Sequence, residues 1–532
     1  MELQGEGLLH GDAGCGDAAE GRVLTHPIEL DGRSLQLADL AAVAKRGAAV
    51  QLTAAARERV AVGRAALEAA MAGGATIYGV NTGFGDLASI RIPDDKLETL
   101  QERLLLSHAA GMGEPLADDV VRVMLLLRAN TLAQGHSGVR PLVIDRLLGL
   151  LAADLLPVVP SRGSVGASGD LAPLAHLVLP LLGHGSVRDQ GRVRPAAEAL
   201  EQLGWAPLRL AAKEGLALIN GTQAMTALLA LAVLEAARLC RFSDLLGGLS
   251  TEALRGTDAA FDPRIHRLRP HAGQITSASN LWRLLQNSQI RESHRTDDVR
   301  VQDPYCIRCM PQVHGAVRDV LDSVASRVRV EINSVTDNPL VFIGPTGEAE
   351  VLSGGNFHGE PMALAADSLT IAVAELGSIS ERRIEKLTNA AFSGLPPFLV
   401  REAGLNSGFM IAQVTAAALA SENKTLAHPA SVDSIPTSAD KEDHVSMGLW
   451  AALKLHLVVV NVRRILAIEA VGAAQGIDLL RPLRSSSRLE EAHRSLRERI
   501  APWSEDRFMA PDLTAAEQWL AGDCESLLTG LD

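Results

Sequence analysis

The chain has 532 residues, 47% of them hydrophobic and 21% charged, which suits a large packed core and excludes a disordered class. Its 50 basic and 63 acidic residues leave a net charge of −13, which argues against a nucleic acid or an anionic membrane as partner. Aromatic residues are scarce, with nine Phe, five Trp and only two Tyr, Tyr78 and Tyr305, so a base-stacking surface is excluded as well.

In chain order, residues 1–26 are rich in Gly and acid and read as a flexible tail. They hold no basic region followed by an apolar stretch, so no secretory signal is expected and a cytoplasmic location is. Residues 27–218 are often broken by glycine and predict a smaller, irregular N-terminal domain. Residues 219–532 predict a long-helix bundle followed by a C-terminal helical region, so the fold class is mainly α. Leu171–Val187, Leu216–Leu234 and Ala403–Ser421 carry no charged residue. Each also holds polar groups, such as His176, Asn220 and Gln413, that lipid would leave unsatisfied, so all three read as deeply buried segments. A helix is predicted over Gln312–Ser334, with Val317, Val320 and Val324 on one face, and a short strand over Val341–Ile343. Pro361 suits a first helical turn, and Met362, Ala366, Leu369, Val373 and Leu376 then form a stripe at helical spacing. Trp450, Leu453, Leu457 and Val460 form another. Five cysteines, including the pair Cys306 and Cys309, provide neither a disulfide framework nor a second ligand pair for zinc, and they read as reduced thiols.

The densest glycine cluster runs Gly163-Ser-Val-Gly-Ala-Ser-Gly-Asp170 and leads into Leu171-Ala-Pro-Leu-Ala-His176. It fits no phosphate loop, dinucleotide fingerprint or nucleophile elbow. The triplet Ala167-Ser168-Gly169 allows another chemistry. The Gly169 nitrogen, with no Cβ beside it, can approach the Ala167 carbonyl. Ring closure with loss of two waters would leave the Ser168 side chain as an electrophilic methylene. Asp170 is placed to cap the following helix, whose positive end would favour electron flow into the ring.

This run resembles the prosthetic-group motif of the aromatic amino acid ammonia-lyases, whose 4-methylideneimidazole-5-one (MIO) forms from such a triplet. The resemblance covers roughly residues 27 to 510 in several motifs that keep their order. It implies that Ala167, Ser168 and Gly169 form MIO with no metal or nucleotide. Tyr78 in Tyr78-Gly-Val-Asn-Thr-Gly-Phe-Gly85 is implied as the base for the β-proton. An ordinary tyrosine, with a pKa near 10, needs nearby positive charge for that task. Asn220 in Lys213–Thr222 would hydrogen-bond the prosthetic group. In Gln302-Asp-Pro-Tyr-Cys-Ile-Arg308-Cys309, Arg308 would clamp the substrate carboxylate, Tyr305 would lie near the prosthetic group and Gln302 near the substrate. Phe357 would wall the pocket.

The Ser107-His108 order and Glu442 in Asp440–His444 resemble the members that act on histidine, because an imidazole needs polar partners and a phenyl ring does not. The implied reaction is the deamination of L-histidine to trans-urocanate and ammonia in a homotetramer with shared active sites. The alternatives are a phenylalanine or tyrosine lyase, an aminomutase of the same family, or an inert helical scaffold. The sequence departs from the family pattern at Asp440-Lys441 (usually Asn-Gln), His314 (commonly Met) and Cys306 (commonly Ser). Lys441 beside Glu442 bears on the charge environment of that acid.

Overall fold

Glycine and proline divide the first part of the chain into short pieces, and nearly all the strands lie there. The computed structural model describes residues 27–532 except 74–75, 78, 84–89, 297, 299 and 346. Strands β1 (Ile28–Leu30) and β2 (Val50–Leu52) pair in parallel. Strand β3 (Met112–Pro115) runs antiparallel to β5 (Pro160–Arg162), and β4 (Leu156–Pro157), β6 (Ser186–Asp189) and β7 (Arg192–Pro195) form a three-stranded antiparallel sheet. The predicted strand at Val341–Ile343 is β8 (Leu340–Ile343), in a hairpin with β9 (Ala349–Leu352). Around these pack helices α1 (Ala54–Ala72), α2 (Leu97–His108), α3 (Asp118–Ala133), α4 (Pro141–Ala152), α5 (Leu171–Val178) and α6 (Glu214–Ile219).

The second part is a bundle of α7 (Gln223–Ala253), α8 (Met310–Glu331), α9 (Glu360–Thr388), α10 (Met410–Leu426) and α11 (Gly448–Leu479). Pro361 lies in the first turn of α9, where no backbone donor is needed, and its stripe from Met362 to Leu376 is fully buried. Helices α7, α9 and α11 run parallel. Lys454 pairs with Asp367 at 3.2 Å near the start of α9 and α11, and Arg383 pairs with Glu469 at 2.5 Å towards their ends. Arg463 likewise meets Glu235, and Ser250 meets Glu469 further along. Helix α8 runs the other way, since Glu331 at its end accepts from Thr222 Oγ1 at 2.6 Å just before α7 begins. Two helices, α7 and α9, are long and apolar enough to cross a membrane, yet 72% and 67% of their apolar windows are buried inside the protein. They are core helices.

Two expectations need correction. Helix α11 is apolar on nearly every side, and the face it buries carries Ala451, Leu455, Val458 and Val462, whereas Trp450 and Leu457 face outward. Spacing alone could not choose between two apolar faces. The uncharged window 403–421 is not deeply buried in the single chain: α10 buries Ala412 and Ala416 but leaves Ile411 64% and Val414 51% exposed. Lack of charge there marks an apolar face rather than a core position.

Two buried carboxylates inside the bundle each accept several bonds. Asp244 accepts from His314 Nδ1 (2.8 Å), Ser277, Asn280 and Arg318, and Glu469 accepts from Arg383, Ser250 and Ser380. His314 therefore fills the commonly Met position as a buried partner of an aspartate.

Candidate active site

The loop 163–170 is tied down from three sides. The Met447 N–H donates to the Val165 carbonyl at 2.7 Å, and Gly359 N and Ser446 Oγ both donate to the Gly166 carbonyl. A bridge pairs Gly169 with Gly221, and Asp170 N donates to Gly221 O at 2.7 Å. Gly169 has φ +73°, and a Cβ there would overlap the Gly221 carbonyl, so only glycine serves at this position.

Met447 and Gly359 each lie immediately before a long helix, and Gly221 lies two residues before another. Helices α7, α9 and α11 therefore all begin at this loop, and α5 starts directly after it. Four positive helix ends converge where the sequence had suggested one. Asp170 differs from the expectation in a related way. It holds the N-cap position of α5, yet its side chain makes no capping bond there. It accepts instead from Met225 N, in the first turn of α7, at 2.9 Å and from Ser164 Oγ at 3.0 Å. A cap can serve a neighbouring helix when tertiary packing brings that helix closer. Complete burial raises the Asp170 carboxyl to about 6, against the lowering effect of these donors.

Around Ser168 the structure gathers several of the expected residues. Ser168 Oγ donates to Glu442 Oε1 at 2.7 Å, and Asn220 Nδ2 donates to the Ser168 carbonyl at 3.1 Å. Asn220 itself is buried, with Oδ1 unpartnered among the described residues. Glu442 Oε2 accepts from Thr437 Oγ1 at 2.7 Å and Ser438 Oγ at 3.0 Å. Between them Ser438, Ala439 and Asp440 all take positive φ, and at 440 Asp serves as Asn would, since both tolerate that region. Lys441 is exposed. His108, the last residue of α2, is half-buried with Nδ1 against Leu104 O at 2.9 Å. Burial lowers its pKa, while the Leu104 carbonyl and then the Glu442 charge oppose the shift, so the two side chains lie within electrostatic reach. Phe357 is half-buried in the segment entering α9, beside His358, which stacks on His444.

Tyr78 falls outside the described residues. Asn81 Oδ1 accepts from Ile77 N at 2.8 Å. The remaining expected residues lie elsewhere. Gln302 and Tyr305 are exposed, Tyr305 at 69%. Arg308 stacks its guanidinium 4.5 Å from the Tyr305 ring centroid and keeps a buried Nε without a partner, ready for an anionic group. This segment borders the far end of the bundle, because Cys306 lies in the field of Arg383, Lys386 and Glu469, and burial lifts its thiol to about 11. From Gly359 to Arg383 along α9 is roughly 35 Å at 1.5 Å per residue. One chain therefore does not bring Arg308 to Ser168.

Sequence reasoning missed Arg128. It lies fully buried on α3 and donates through Nη1 to the Asn220 carbonyl at 2.9 Å and to Gln223 Oε1 at 3.1 Å. Its signal was present as a cation inside the apolar run Val123–Leu132.

A family model described as "Aromatic amino acid lyase" matches residues 35–498. The "Histidine ammonia-lyase" of Sorangium cellulosum is 54% identical over 493 residues, covering 92% of this chain and 96% of that protein. The crystal structure of histidine ammonia-lyase from Trypanosoma cruzi superposes with TM-score 0.86 at 45% identity, covering 95% of this chain and 97% of the other. The tyrosine aminomutase of Streptomyces globisporus gives TM-score 0.89 at 37% identity, covering 95% and 98%.

Proposed function

The chain belongs to the aromatic amino acid lyase family, and from that premise we propose that it deaminates L-histidine to trans-urocanate and ammonia. The observation that carries the substrate choice is Glu442, bonded to Ser168 at 2.7 Å and within electrostatic reach of His108. Two polar partners beside one reacting position suit an imidazole, and they would be left unpaired by a phenyl ring. The higher identity to histidine ammonia-lyases than to the tyrosine aminomutase supports the same choice.

Ala167-Ser168-Gly169 fit the precursor of an MIO group. Gly169 has the left-handed turn that ring closure calls for, and Asn220 already donates to the Ser168 oxygen. The group, once formed, supplies an electrophilic methylene that makes the substrate amine a better leaving group. Asn220 holds the Ser168 oxygen, and the helix ends of α5, α7, α9 and α11 favour negative charge on it. His108 and Glu442 orient the imidazole, and Phe357 walls the pocket. Tyr78 takes the β-proton. Arg308 clamps the carboxylate with its fork of donors, with Gln302 and Tyr305 beside it.

The distance between the Ser168 loop and Arg308 supports a homotetramer in which each site draws on more than one subunit. The apolar faces left open on α10 support it too. The test is incubation with L-histidine, L-phenylalanine and L-tyrosine, together with intact mass. Urocanate absorbance with histidine alone, from a chain lighter by two waters, is the expected result. Turnover of phenylalanine or tyrosine in its place would overturn the substrate assignment.

A further inference from the structure

Arg128 is surrounded by protein, with 0% of its surface exposed, and two of its donor nitrogens, Nε and Nη2, have no partner among the described residues. A buried guanidinium this poorly paired is costly, and apolar replacements of buried charges are often neutral or stabilising. The surrounding charge balance sharpens the point. Lys213, also 0% exposed, binds Asp337 at 2.9 Å, and the same Asp337 is the carboxylate whose charge acts on Arg128. Two buried cations thus share one anion. Burial lowers Arg128 itself only to about 10, so it stays charged at neutral pH.

The Arg128 charge is aimed at one peptide. Arg128 Nη1 donates to the carbonyl of Asn220 at 2.9 Å, and a Cβ on Gly221 would run into the same Nη1 atom. On its other side the Asn220–Gly221 pair grips the loop, through Asn220 Nδ2 on the Ser168 carbonyl at 3.1 Å and the bridge from Gly221 to Gly169. A charge-assisted bond fixes and polarises the peptide it holds, and a fixed charge in a dry interior acts strongly.

We propose that Arg128 is a positioning residue for the electrophile: it fixes and polarises the Asn220–Gly221 peptide so that the Ser168 oxygen can accept electron density when a nucleophile adds at the Ser168 side chain. The inference rests on the MIO reading above. It predicts that Arg128 governs how readily the methylene reacts, apart from whether the ring forms and how the substrate binds.

The experiment compares wild type with Arg128→Met and Arg128→Lys, using the full chain in its native assembly. Arg128→Met leaves Lys213 and Asp337 balanced one to one, so folding should persist. Intact mass reads the loss of two waters. Borohydride then delivers hydride to the methylene carbon, the electron pair passes to the ring and takes a proton from water, and the chain gains two hydrogens. The rate is counted only on chains that carry the ring. Arg128→Met should keep the mass loss and an unchanged KM, while the borohydride rate and kcat fall together by roughly 10- to 100-fold. Arg128→Lys, which keeps the charge, should fall between Arg128→Met and wild type. Wild-type borohydride rates in the Met variant would overturn the inference. So would failure of both variants to form the ring, which would make Arg128 a part of loop construction instead. A wild-type chain that has lost no water would sink the MIO reading itself, a separate result.

Discussion

Ser168 donates its hydroxyl to Glu442 at 2.7 Å across 274 positions of sequence. The pair joins the two halves of the proposed chemistry, the position that becomes the electrophile and the acid that selects the substrate. Ser168→Ala removes the hydroxyl that must leave as water. It should fold, lack the loss of two waters, and lose nearly all deaminase activity. The Ser168 hydroxyl also occupies only one of the Glu442 oxygens, so Thr437 and Ser438 should keep Glu442 in place. Intact mass and urocanate formation on the same sample check this, and full activity in the variant would exclude MIO.

Glu442→Gln separates substrate selection from electrophile formation. An amide retains an acceptor for Thr437 and Ser438 but loses the charge that acts on His108. A hydrogen bond to a charged group contributes about 1.5–3 kcal/mol, so kcat/KM for histidine should fall roughly 10- to 150-fold. The mass loss of two waters should be retained. An unchanged kcat/KM for histidine would remove Glu442 from the site.

Much of this was legible in the chain because the chemistry is local. Ala167-Ser168-Gly169 is contiguous, and Gly169 is dictated by its own backbone angle. The stripe from Met362 to Leu376 was legible because those residues recur at helical spacing, and that is the face the helix buries. The rest depended on tertiary packing. Asp170 was assigned to its own helix because a sequence shows only the nearest N-terminus, and α7 begins 53 positions on. The outward turn of Trp450 and Leu457 was hidden by an α11 that is apolar all round. The convergence of α7, α9 and α11 on one loop, and the separation of Arg308 from it, are properties of parallel packing that no single motif contains.

That separation yields a third prediction. Arg308→Ala and Ser168→Ala should each be inactive, for unrelated reasons and at opposite ends of one bundle. If sites are built from more than one subunit, co-expressed chains will form some sites that take Ser168 from one parent and Arg308 from the other. Mixed assemblies should therefore regain a measurable part of wild-type activity. Hybrids as inactive as both parents would show that each site is made by one chain, contrary to the roughly 35 Å between the segments.

The last prediction concerns pH. Glu252 sits in the final turn of α7, buried, where burial raises its carboxyl to about 7 against the hydroxyls of Ser288 and Ser485 and the charge of Arg291, with Asp258 adding to the rise. The folded value lies above the ordinary 4.5, so the folded chain holds this proton more tightly than the unfolded chain. The stability this contributes is complete below 4.5 and is lost as pH rises through about 7. At 1.36 kcal/mol per unit, ionised Glu252 costs about 3 kcal/mol. Asp170, raised to about 6, slopes the same way. On the acid side the signs reverse. Asp244, held near 2 by Arg318 and His314 despite its burial, contributes stability above 3.8 that is lost as pH falls through about 2. His314, lowered by burial, is most favourable above 6.5 and loses its contribution as pH falls from there. Thermal unfolding should show the midpoint of Glu252→Gln gaining on that of the wild type as pH rises from about 4.5 to about 7, with little gap near pH 4 and a constant gap above about pH 8. A gap that does not change across that range would show that this carboxyl is not where the stability is lost.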